Sequence, residues 1–289
     1  MKTRDPVEQS VAAGGRRVAW LVMLACALFV VLFPLFVMLK FSVADRDSSY
    51  GTAGHGPPLL PRNVQIEQYV SLLQRGDFLR AAATSLGICL LAVAVSLGVG
   101  TPAAYALARF RFPGLALLMF FILAIRLFPD ICSVVPVAQV FSRTPLGRIP
   151  PLVQVALAHS LLALPYVVYI CMGVFQAIPR DLEDQARILG AGRWYAFRHV
   201  VLPVALTGLA AAAIYVFLLS WNEFIFAYFL FADSAAVSLP VYLLRILAWT
   251  PQLNLLAALS VMLSVPVIVF CFTIQRYMIA GMTTGAVKE

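Results

Sequence analysis

Six long apolar runs dominate this chain, at Val18–Leu39, Leu79–Leu107, Leu115–Phe141, Leu152–Phe175, Val204–Phe231 and Leu255–Tyr277. Wound as a helix at about 1.5 Å per residue, the shortest spans roughly 33 Å, enough to cross a hydrocarbon core of about 30 Å. Backbone polar groups in lipid must be satisfied within the segment, so runs like these are helices. A barrel would instead alternate over strands of about ten residues. Composition agrees: 62% of residues are hydrophobic and 12% charged, whereas a soluble domain carries roughly 25% charged residues. The predicted fold class is all-α integral membrane, with six transmembrane helices filling residues 18–285 between an N-terminal segment (1–17) and a short tail (286–289).

Lys and Arg near the span ends set orientation. Lys2, Arg4, Arg16, Arg17, Arg109, Arg111, Arg180, Arg187, Arg193, Arg198, Arg276 and Lys288 fall on one side when the N-terminus lies in the cytoplasm. Both termini are therefore expected inside. The net charge of +8 follows from this topology, and no nucleic-acid partner is implied. The first span, roughly 22 residues long, exceeds the 7–15 of a signal-peptide core and reads as an uncleaved anchor. Cys26, Cys89, Cys132, Cys171 and Cys271 all lie in apolar segments without metal or redox spacing. They read as small packing residues, and no metal site is expected.

Outside the spans, the longest polar stretch is the predicted external loop 42–75, ending in a short surface helix around Ile66, Tyr69, Val70 and Leu73. Further external loops are expected at Ser142–Pro151 and Ala232–Asn254, and a tight inner turn at Arg109–Gly114. Pro34, Gly98, Gly100, Pro102, Pro129, Pro136, Pro165 and Pro266 interrupt spans. Such residues suit ordinary transmembrane packing and equally a pathway that opens and closes.

The most informative polar segment is the island Ile178–Pro203. Pro179 opens a helix with Asp181, Glu183 and Asp184 in its first turns, where the helix dipole favours acids. Leu182, Ala186 and Leu189 share one face, Gly190-Ala-Gly192 breaks the chain, and a second helix presents Trp194, Phe197 and Val201 before Pro203 ends it. A lipid-surface helix prefers a basic polar face; an acidic first arm suits a protein groove better.

This run resembles the cytoplasmic signature loop (the EAA loop) of permease subunits of binding-protein-dependent ABC importers, in the branch of the smaller maltose permease subunit that serves sugars. Against the pattern Glu-Ala-Ala, three residues, Gly, nine residues, Ile-x-Leu-Pro stand Asp184, Gln185, Ala186, Gly190, Val200 and Leu202-Pro203. Ala103–Gly114, Trp221-Asn-Glu-Phe224 and the tail from Gln275 to Lys288 are also similar to that branch, in the same order.

The resemblance implies the type I ABC importer fold and a non-catalytic subunit coupled to a separate ATPase. No Gly-x-x-x-x-Gly-Lys-Ser/Thr run is present, so phosphate cradling, ATP and Mg are expected on that partner. It implies as ATPase-coupling residues Leu182, Asp184, Gln185, Ala186, Arg187, Leu189 and Gly190. The implied partners are a second, related permease chain, two ATPase subunits and an external substrate-binding protein, in a bacterial inner membrane. The cargo is a carbohydrate, with trehalose or maltose the first expectation.

Polar residues inside the spans carry two readings each. Arg126 and Asp130, four apart, neutralise each other or line the pathway. Asn222 and Glu223 touch substrate or a gate, or bond between helices. His159 reads as a packed hydrogen bonder between helices. Tyr105, Tyr166, Tyr169, Tyr215 and Tyr228 could stack on sugar rings. Asp130, Asn222, Glu223 and Tyr228 are the candidate pathway residues. A self-sufficient secondary transporter or channel is the competing class, but no internal repeat is visible.

Overall fold

The computed structural model describes residues 6–45, 49, 58–61, 63–232, 234–249 and 252–285. Much of the predicted external loop, the first five residues and the tail at 286–289 lie outside the described residues. Twelve α-helices are described: α1 (Pro6–Ser42), α2 (Glu67–Gln74), α3 (Gly76–Arg109), α4 (Leu115–Ala124), α5 (Asp130–Arg143), α6 (Pro151–Ala177), α7 (Asp181–Ile188), α8 (Arg193–Ala196), α9 (Leu202–Asn222), α10 (Ile225–Leu230), α11 (Leu239–Trp249) and α12 (Leu253–Gly285).

Contacts divide the chain into two compact units, one of residues 1–74 and 249–262, the other of 75–248 and 263–289. In the first, α1 leads into an antiparallel bridge between Ala44 and Val64. Gln68 of α2 donates to the Ala44 carbonyl at 3.2 Å, so the surface helix is pinned to the chain that leaves α1.

The second unit is built on α3 and α6, with α9 packed against both. Its core is largely alanine and valine: Ala92, Ala104, Ala163, Val167, Ala205, Ala212 and Val216 are all fully buried. In lipid the hydrophobic effect does not drive helices together, so small residues that let backbones approach supply the packing. Gly208 shows how close the approach is, since a Cβ there would collide with the methyls of Val174.

Four expectations need correction. The third span is not one helix: Leu115–Leu127 and Asp130–Arg143 meet at 96°. Pro129 lacks an N–H and forces the preceding Phe128 into extended backbone (φ −72°, ψ 131°), which stops one helix before the next begins at Asp130. The second arm of the island does not end at Pro203. A π turn at Phe197–Val201 carries it directly into α9, giving one helix over Arg193–Asn222. That span in turn stops at Asn222, short of the expected Phe231, and restarts as α10. Finally, the expected loop Ala232–Asn254 contains α11, whose Val241, Tyr242 and Ile246 are buried. The fold class itself stands: among the described residues five helices are long and apolar enough to cross a membrane, or six if the bent pair is counted as one span.

Candidate functional site

The island folds as a hairpin. Its α7 ends in a Schellman cap: Gly190 N–H donates to the Arg187 carbonyl and Ala191 N–H to the Ala186 carbonyl, both at 3.0 Å. The cap needs a left-handed residue, and Gly190 adopts φ +91°. An L side chain there costs about 1–2 kcal/mol in backbone strain.

The two sides of α7 differ. Leu182, Gln185, Ile188 and Leu189 are exposed, whereas Ala186 and Glu183 are half-buried on the inward side. Ala186 therefore does not share the outward face with Leu182 and Leu189, and Ile188 joins them instead. Asp184 and Arg187 are exposed and pair loosely at 3.6 Å.

Glu183 was not singled out from the sequence, yet it ties the hairpin down. It forms an ion pair with Arg109 at the end of α3, and the Tyr105 hydroxyl donates to its other oxygen at 2.7 Å. Arg109 also donates to the Ile178 carbonyl at 3.1 Å, and Arg180 donates to the Arg109 carbonyl at 3.2 Å. Beneath this latch Tyr105 packs edge-on against Phe175 at 5.5 Å and against Phe197 at 4.4 Å, with Trp194 on Phe197 at 5.3 Å. Only part of this was legible in the sequence. Tyr105 and Arg109 lie one turn apart on α3, but helical spacing does not single out Glu183 from Asp181 and Asp184 as their partner.

Within the bundle, His159 is the centre of a buried cluster. Its Nε2 donates to Glu223 at 2.8 Å, because a carboxylate only accepts, and Ser220 meets Nδ1 at 2.8 Å. Glu223 also accepts from the N–H groups of Phe226 at 2.9 Å and Ala227 at 3.2 Å. It thus caps α10 and joins the fifth span to the fourth. His159 is a packed hydrogen bonder between helices, and Glu223 has both oxygens engaged.

The other candidate pathway residues are dispersed. Asn222 is exposed, and its amide donates to the Leu218 carbonyl at 2.8 Å. Tyr228 is exposed and stacks near Phe224 at 5.4 Å. Asp130 opens α5 and bonds Arg126. Among the described residues no hydrogen bond or ion pair links Asp130 to Asn222, Glu223 or Tyr228, and no group of His, Cys, Asp or Glu could hold a metal.

Residues 96–283 match the family model of the binding-protein-dependent transport system inner membrane component. The chain belongs to that family. This importer permease is 33% identical over 279 residues to the trehalose transport system permease protein SugB of Mycobacterium tuberculosis, covering 95% of this chain and 99% of that one. It is 28% identical over 264 residues to the trehalose/maltose transport system permease protein MalG of Thermococcus litoralis, covering 90% and 92%. The permease also shares its fold with a bacterial ABC transporter involved in the import of the acidic polysaccharide alginate. That match has a TM-score of 0.76 at 19% identity and covers 96% of this chain and 99% of that one.

Proposed function

We propose that this chain forms half of the translocation pathway of an ATP-driven carbohydrate importer and is moved by a separate ATPase that grips α7. The observation that carries the reading is the tip of the hairpin. Ile188 and Leu189 are 84% and 88% exposed on a helix whose opposite side is fixed by Glu183 to α3. An apolar tip on a rigid mount suits a partner groove, and a helix held in a groove transmits a rigid-body displacement. Leu182 extends the apolar contact, Asp184, Gln185 and Arg187 supply polar contacts, and the Gly190 turn sets the angle of the arm.

ATP and Mg act on that partner, while this chain binds no cofactor. A second related permease completes the pathway, two ATPase subunits drive it, and an external binding protein delivers cargo. The hairpin and both termini then face the cytoplasm. Relatives named for trehalose and for trehalose/maltose support a disaccharide cargo.

The test is co-expression of the tagged chain with its ATPase and partner permease. The paired substitution Ile188→Asp with Leu189→Asp removes two apolar anchors, each worth about 1.5–3 kcal/mol when fully buried. The ATPase should no longer co-purify, while the amount of chain in the membrane stays unchanged. Full retention of the ATPase by this variant would show that the grip lies elsewhere.

A further inference from the structure

The corner where the third span turns through 96° carries two opposite charges. Arg126 lies in the one-turn helix Ile125–Leu127 that follows α4, and Asp130 opens α5. The Arg126 Nη1 donates to Asp130 Oδ1 at 3.0 Å. The pair therefore bridges the break rather than lying on one helix face, as its spacing suggested. The same guanidinium lies 5.6 Å from the centre of the Tyr166 ring on α6, and Tyr166 meets Tyr215 of α9 at 5.0 Å and 55°. Side chains from the corner and two spans thus converge. Tyr166 is roughly 22 Å along α6 from its start, well inside the span.

Two features mark this cluster as unfinished. Arg126 and Asp130 keep side-chain exposures of 17% and 36%, so neither is sealed by this chain. Arg126 Nε is screened from solvent and has no hydrogen-bond partner among the described residues. Charges at this depth are costly unless they face protein or a watery path. An ion pair that merely closed a corner could be replaced by apolar side chains with little loss.

The chemistry fits one ligand class. A guanidinium fork beside a carboxylate acceptor matches adjacent hydroxyls, one accepting and one donating. An aromatic pair beside it offers apolar contact to the C–H face of a ring. We infer that Arg126, Asp130, Tyr166 and Tyr215 form a saccharide subsite on the translocation path. The inference rests on the reading of the cargo as carbohydrate and adds where this subunit touches it. Arg126 and Asp130 hold the hydroxyls, the half-buried Tyr215 supplies the ring, and Tyr166 holds the guanidinium in place.

The experiment uses the whole importer in proteoliposomes, with [¹⁴C]trehalose and [¹⁴C]maltose as probes. Uptake and ATP hydrolysis stimulated by the liganded binding protein are both measured. In the paired variant Arg126→Met with Asp130→Leu, a structural ion pair is replaced by tolerated apolar groups, so uptake at the wild-type rate overturns the subsite. The subsite instead requires uptake to fall by about tenfold or more, the worth of one hydrogen bond to a charged group, with stimulated hydrolysis held within about twofold. Should the paired variant fail to assemble, Asp130→Asn, which removes the carboxylate charge, and Tyr215→Leu, which removes the ring while staying apolar, give the same reading. Wild-type uptake in both of these overturns the subsite, and loss of uptake with hydrolysis retained supports it. A wild-type complex that carries neither sugar overturns the reading of the cargo as one of these disaccharides, and the subsite for them with it.

Discussion

Arg109→Ala is expected to uncouple the importer. The substitution leaves Glu183, only 13% exposed, without its cation, and strips the Ile178 carbonyl of a donor. Breaking a buried pair from one side costs about 3–5 kcal/mol. That cost falls on the contact between α7 and the end of α3, where a push on the hairpin enters the bundle. Uptake should fall by about a hundredfold, as expected when roughly 3 kcal/mol is lost from the contact. The ATPase still binds, because the outward face of α7 is untouched. The discriminating measurement is uptake per ATP hydrolysed in proteoliposomes. The paired variant Arg109→Met with Glu183→Leu should recover complex stability without recovering coupling. If Arg109→Ala transports normally, the latch has no part in transmission.

Glu223→Ala should damage the complex itself. The carboxylate serves His159 and the N–H groups of Phe226 and Ala227. Removing it leaves three donors in an apolar interior, each costing about 1–3 kcal/mol when unsatisfied. The restart of α10 loses its cap, and the fourth and fifth spans lose their polar link. The expected result is a large fall in assembled complex and in its thermal midpoint, read by fluorescence-detected gel filtration after heating. Glu223→Gln keeps one acceptor oxygen for His159 or the backbone and should be clearly milder. Equal, wild-type stability in both variants would mean that Glu223 is not a clamp.

The parts of the fold that were legible in the sequence are those governed by local rules. The spans around α3, α6 and α12 show as unbroken apolar runs because a helix in lipid satisfies its own backbone. The Gly190 turn showed for the same reason, since a left-handed cap selects glycine at that point. The break at Pro129 obeys a local rule too, yet its 96° angle depends on what α4 and α5 pack against. The α10 restart was hidden because its cap is a side chain reaching forward to backbone, within a run that hydropathy reads as continuous. α11 was taken for loop because its 11 residues fall short of the roughly 20 that mark a span.

At the site, Leu182 and Leu189 were expected on the apolar face, whereas Ile188 was not, and the Glu183–Arg109 latch joins residues 74 positions apart. Nothing in a single sequence pairs them. The same holds for His159 with Glu223, which are 64 positions apart. Spacing alone reports neighbours on one helix, whereas the residues that fix this hairpin and this cap meet only once α3, α6 and α9 have packed.

The most direct measurement is sugar uptake by the purified chain alone in sealed vesicles. That uptake is compared with uptake by the same chain reconstituted with its ATPase, second permease and binding protein. Uptake should appear only in the full assembly and only with ATP inside reach of the ATPase. Accumulation of sugar by the lone chain, with no ATPase present, would contradict the account.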